Sequence, residues 1–181
     1  MRLLVVLLLL ICNTSFSRVI VLRDFALDGP IIQGNNANIL LSGTFDDSSY
    51  NDLNKVFNKY NDYNIVIHAN SNGGIFKDYS SIIKIMDLIH KHNVTWVVGE
   101  KSRCYSMCAL AGISSKNVSG VLHFHGVHND IHYNNSLNKI VHKQINTEAN
   151  EKVLNKLHQY GHNNLDFKNI LNKTEFTAIR F

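Results

Sequence analysis

Three short, mostly apolar runs constrain this chain more than anything else in it: Asn38–Ser42, Ile65–Ala69 and Thr95–Val98. Runs of this length without polar alternation are the pattern of strands buried on both faces. Each is followed by helical periodicity. Asp46 or Asp47 can cap a helix reaching about Tyr60, with Leu53, Val56, Phe57 and Tyr60 on its apolar face. From Asp78 a longer helix carries Ile82, Ile83, Ile85, Met86 and Ile89 and ends near His92-Asn93. A third helix spans Ser106–Ile113, and Val121–His125 reads as a fourth strand. Strand and helix alternating in this way predict right-handed crossovers and a mainly parallel sheet, an α/β fold. Around this frame, Arg18–Arg23 reads as an edge strand, and Asp28-Gly29-Pro30 and Asn70–Gly74 read as turns. The stretches 136–160 and 166–171 read as polar helices.

With 181 residues, 45% of them hydrophobic, the chain can bury one core and not two. Residues 1–17 have a basic start, a short apolar stretch and small residues at Ser15 and Ser17, the layout of a signal peptide cut after Ser17. That leaves residues 18–181 as a single exported domain, periplasmic or secreted. No later stretch is long and apolar enough for stable membrane insertion. Loss of Arg2 lowers the formal charge from +4 to +3, too mild to point to nucleic acid. Cys12 leaves with the leader, so Cys104 and Cys108 remain. An oxidising compartment favours their pairing, and an i, i+4 spacing allows it; two buried free thiols packing as small hydrophobes is the other reading.

In a parallel sheet, sites form beyond the carboxyl ends of the strands, and three unusual segments fall there. The first is Cys104-Tyr-Ser-Met-Cys108, which places Ser106 at a strand-to-helix junction, where a hydroxyl can be presented as a nucleophile. The second is the Gly73-Gly74 pair, and the third is the strand end at His125. Acyl transfer needs a nucleophile, a base and N–H donors aimed at the oxyanion. Ser106, His125 and the N–H groups of Met107 and Gly73 fill those roles. His123, His125, His128 and His132 also suggest a zinc site, but no carboxylate or cysteine completes a strong motif, so neither a metal nor another cofactor is expected.

The order Ser-Asn-Gly-Gly (71–74), Cys-Tyr-Ser-Met-Cys (104–108) and Leu-His-Phe-His (122–125) resembles the proteolytic subunit of Clp protease and the wider crotonase-like superfamily, over about residues 38–128. It is most similar to exported ClpP-like proteins with a cysteine-serine-cysteine motif. The resemblance implies a crotonase/ClpP-like spiral of ββα units. It also implies hydrolysis of a peptide or protein substrate by Ser106 and His125, an oxyanion hole at Gly73 and Met107, and association into homo-oligomers. Two departures stand out. Asn72 replaces the usual proline, and the tail Ala178-Ile179-Arg180-Phe181 lacks the family's aspartate. Asp166 or Glu175 would have to serve as the third member. Otherwise the chain works as a dyad, or is an inactive relative that binds peptide or protein.

Overall fold

The computed structural model describes residues 24–135 and 138–181. The expected leader, its Cys12 and the strand read at Arg18–Arg23 lie outside the described residues. Among the described residues the sheet edge is β1 (Ala26–Gln33), antiparallel to β2 (Asn36–Phe45), with Ala26 opposite Ser42 and Gln33 opposite Asn36. Asp28-Gly29-Pro30, read as a turn, lies inside β1, where a register break between Asp28 and Ile31 absorbs it. An edge strand with a bulge tolerates a residue that has no N–H.

From β2 the chain follows the predicted alternation. α1 (Ser49–Lys59), β3 (Asn64–Gly74), α2 (Ser80–Lys91), β4 (Thr95–Val97), α3 (Met107–Ile113) and β5 (Asn117–Ser119) come in turn, and β2 to β5 pair in parallel. Capping sets the helix starts. Asp46 accepts the N–H groups of Ser48 and Ser49 at 2.9 and 3.0 Å, and Asp78 accepts that of Ser80 at 2.8 Å. Asp47 instead takes the N–H of Lys77 at 3.0 Å and ties the two helix entries together. Leu53 and Phe57 of α1, and Ile82, Ile85, Met86 and Ile89 of α2, face the core, each buried side chain contributing about 1.5–3 kcal/mol.

Burial on both faces of the strands is not what the structure shows. Ala37, Ile39 and Leu41 of β2 are buried while Leu40 between them is 53% exposed. The strand order runs in one direction from β2 to β5. Right-handed crossovers that keep advancing the same way deposit their helices on the same face, so the other face stays open.

The carboxyl end of the sheet carries a second row of strand pairing. β3 continues through Asn70–Gly74, with Gly74 opposite Phe45 and Ser71 bridged to Cys104. Tyr105 in turn bridges to His123 on β6 (Val121–Phe124). β6 pairs antiparallel with β9 (Thr177–Arg180) and does not extend the parallel sheet; β5, too short and polar to stand out in the sequence, takes that place. The helix expected over 136–160 is half right. β7 (His128–Asn135) and β8 (Asn138–Ile145) form a hairpin, and α4 (Thr147–Gln159) starts only where Asn146 accepts the N–H of Ala149 at 3.0 Å. α5 (Phe167–Leu171) sets Phe167 edge-on to Phe124, 5.4 Å between ring centres. No helix among the described residues is long and apolar enough to cross a membrane.

Candidate functional site

The second strand row and the start of α3 meet at Ser106. Its backbone has φ 53° and ψ −116°, in a region that non-glycine residues rarely occupy. Holding such a conformation costs on the order of 1–3 kcal/mol and requires neighbours that enforce it. Several do. The Ser106 N–H donates to His123 O at 2.8 Å, and the Tyr105 N–H to Ser71 O at 3.1 Å. The Cys108 N–H reaches back to Tyr105 O at 3.0 Å. Cys104 and Cys108 form a disulfide across the turn, with Cα atoms 5.1 Å apart.

Gly73 stands directly behind the serine. Its φ is +112°, and a Cβ there would lie 2.8 Å from Ser106 Cβ. A side chain at Gly74 would likewise press on Phe76 and on Met107 Cβ, 3.0 Å away. Both glycines are therefore required by close approach. They sit at the end of a strand and not in the tight turn that the sequence suggested. The two expected oxyanion donors differ in state. Among the described residues no acceptor takes the Met107 N–H, whereas that of Gly73 donates to Ser71 Oγ at 3.2 Å.

Ser106 and His125 line the same cleft, about 580 Å³ in volume, without a hydrogen bond between them. The cleft has an apolar wall from Phe76, Tyr79, Ile82, Leu110 and Val127, and Lys143 and Phe176 lie at its rim. His125 is 8% exposed and its Nδ1 lies 2.7 Å from Gly126 O. Burial, opposed by that hydrogen bond and reinforced by electrostatic repulsion from the His128 and Lys143 side chains, pulls its pKa down to about 4. At neutral pH the ring is uncharged, the form a general base needs.

The other sequence candidates lie elsewhere. Asp166 caps α5 by accepting the Asn169 N–H at 3.1 Å, and Glu175 is exposed. Neither is hydrogen-bonded to His125 among the described residues. His123 packs on Tyr105, Tyr105 on Phe176, and Phe176 on His125, so two aromatic rings separate the histidines whose spacing suggested a shared metal. His132 lies outside the residues whose side chains are described. Among the described residues no three metal-binding side chains converge. Sequence reasoning missed Lys143 and Tyr79 in the cleft, because the first lies on a strand taken for a helix and the second just ahead of α2.

A smaller recess of about 280 Å³ shares Asn72 with the cleft and carries Lys101 and Arg103. Neither makes an ion pair with the described residues.

No protein-family model matches the sequence, and no curated protein matches it. Solved structures do. A serine-to-alanine mutant of the 1510-N membrane-bound stomatin-specific protease superposes with a TM-score of 0.55 at 11% identity, over 80% of this chain and 72% of that one. A lysine-to-alanine mutant of the same protease, in complex with a substrate peptide, gives 0.55 and 11% over 80% and 68%. At that identity the likeness concerns architecture alone: this chain has a mixed α/β fold with a mostly parallel central sheet, consistent with the ClpP/crotonase-like fold.

Proposed function

We propose that this chain is an exported serine peptidase in which Ser106 attacks the peptide carbonyl and His125 takes its proton. The observation that carries the reading is the backbone of Ser106, held at positive φ by a disulfide, a strand pairing and two glycines, so that its hydroxyl faces the cleft that also holds His125. A fold keeps such strain where a side chain must be presented. As the tetrahedral intermediate forms, its oxygen takes the Met107 N–H. The bond from Gly73 to Ser71 Oγ is long, and an anionic oxygen outcompetes a neutral hydroxyl for that second donor. His125 then returns the proton to the leaving amine, and water repeats the cycle on the acyl-enzyme. An extended peptide would lay an apolar side chain against Phe76 and Ile82 and continue past Asn72 toward Lys101 and Arg103. The Cys104–Cys108 disulfide supports export, since such bonds persist in oxidising compartments.

A second reading, a relative that binds peptide without turning it over, draws support from the absence, among the described residues, of a carboxylate bonded to His125 and of a Ser106–His125 hydrogen bond. Labelling with a fluorophosphonate probe separates the two. The peptidase reading expects modification at Ser106 that is abolished in Ser106→Ala and slowed at least tenfold in His125→Gln. Folded wild-type protein that binds peptide and stays unlabelled would establish the binder instead.

A further inference from the structure

We propose that the Gly126–Val127 peptide unit, locked in place by Asn150, does for His125 what the carboxylate of a Ser-His-Asp triad does for its histidine. The proposal rests on His125 acting as the base. A carbonyl oxygen offers lone pairs and no proton, so the 2.7 Å contact between His125 Nδ1 and Gly126 O is a hydrogen bond only when Nδ1 carries the hydrogen. The neutral ring then has its lone pair on Nε2, the atom left to receive a proton. Setting that tautomer and holding the ring in orientation is one of the tasks of a triad acid.

What fixes the carbonyl is visible on the other edge of the same peptide. A trans peptide is planar, with its C=O and N–H pointing in opposite directions. The N–H of this unit, on Val127, donates to Asn150 Oδ1 at 2.7 Å. Asn150, in the first turn of α4, is 5% exposed, and its Nδ2 donates to Leu171 O at 2.9 Å and Val127 O at 3.4 Å. With two carbonyls facing Nδ2, the amide has one satisfactory orientation, and Oδ1 must face Val127. The Gly126 N–H is taken by Lys173 O at 2.8 Å. A Cβ at position 126 would fall 2.0 Å from Leu171 O, so only glycine lets the chain pass there. The line Asn150 Oδ1, Val127 N–H, Gly126 C=O, His125 Nδ1–H is thus a run of hydrogen bonds through one rigid plane, each polarising the next.

The substitution is partial. The titratable groups facing the ring are His128 at the start of β7, Lys143 on β8 and Tyr79 across the cleft. His128 donates its own Nδ1–H to the same carbonyl at 3.1 Å. No carboxylate is bonded to His125 among the described residues, so the peptide unit supplies orientation and tautomer without the negative charge that would stabilise an imidazolium.

Asn150 is therefore a positioning residue, and the test reads the ring itself. Nitrogen-15 NMR of histidine-labelled wild-type protein at pH 7 should show neutral His125 with its hydrogen on Nδ1. A ring protonated on Nε2 would overturn the proposal without any variant having to fold. Asn150→Leu should mix the tautomers and lower the maximal rate of Ser106 labelling about 10- to 100-fold, the scale on which partners of functional histidines act, while half-saturation by the probe stays unchanged. Asn150→Asp keeps the acceptor for Val127 but turns its second oxygen toward Leu171 O and Val127 O, so it should restore both only toward acid pH, where that oxygen carries a proton to donate. Retention of tautomer and rate in Asn150→Leu would refute the role. A ring that is Nδ1-protonated and Asn150-dependent in a protein whose Ser106 never labels would uphold the peptide unit's role and remove the peptidase reading.

Discussion

Acid should weaken this protein through one ring in particular. In the unfolded chain His125 takes up its proton near pH 6.5, and in the folded chain only at about 4. Between those values the unfolded chain holds more protons, so falling pH draws the equilibrium toward it. The contribution is fully present above pH 6.5 and lost as the pH drops through 4. At roughly 1.4 kcal/mol per decade, the interval corresponds to about 3 kcal/mol, an upper figure because the ring lines an open cleft that water can enter. Against a typical domain stability of about 5–15 kcal/mol that is a large share. Burial shifts His92, His123 and His162 in the same direction, so a simple acid titration would not isolate His125. Urea unfolding of wild-type and His125→Gln proteins at pH 7.5 and 4.0 does, since the other histidines are common to both. The wild type should lose about 2–3 kcal/mol more than the variant over that interval. Equal losses, or a His125 pKa near 6.5 by NMR, would refute the reasoning. The same shift implies that the acid limb of the labelling rate lies well below pH 6.5, with the site still working at pH 5.

Two further perturbations bear on the serine turn. Gly73→Ala forces an L-residue to φ +112° with its methyl 2.8 Å from Ser106 Cβ. The backbone cost of about 1–2 kcal/mol and the overpacking cost of about 1–3 kcal/mol should both appear as a lower urea midpoint together with slower labelling; an unchanged midpoint would mean the glycine is not needed for space. Replacing Cys104 and Cys108 by serine opens a five-residue loop, for which the chain-entropy account gives about 2 kcal/mol. The same loss should follow from reducing the wild type, and equal stability with and without reductant would contradict it.

Much of this architecture could be read from the chain because its apolar runs and helical stripes are long enough to show a period. Ile65–Ala69 could only be a buried strand, and the spacing from Ile82 to Ile89 only a helix face. The open face of the sheet was not legible, since Leu40 looks like its buried neighbours and its exposure depends on the direction in which later strands are added. The β7–β8 hairpin was missed for a related reason: its strands are rich in Asn, His and Lys, and only their mutual pairing makes them extended. At the site, Ser106, Gly73 and His125 stood out through their local signals, a cysteine bracket, a glycine pair and a strand end. Asn150 gave none. It is one of many asparagines, and its importance comes entirely from lying against a peptide unit 23 residues away in sequence.

The two margins of the central sheet set a limit on how copies of this chain can meet. On one side β1 is interrupted between Asp28 and Ile31, with Pro30 in the gap and no amide hydrogen there to offer; on the other, β5 is three residues long. Neither margin presents the long, regular row of donors and acceptors that a foreign strand would need for annealing. Among the described residues the central sheet thus has no long regular edge from which to grow from molecule to molecule, and what it offers a neighbour instead is its uncovered face around the exposed Leu40.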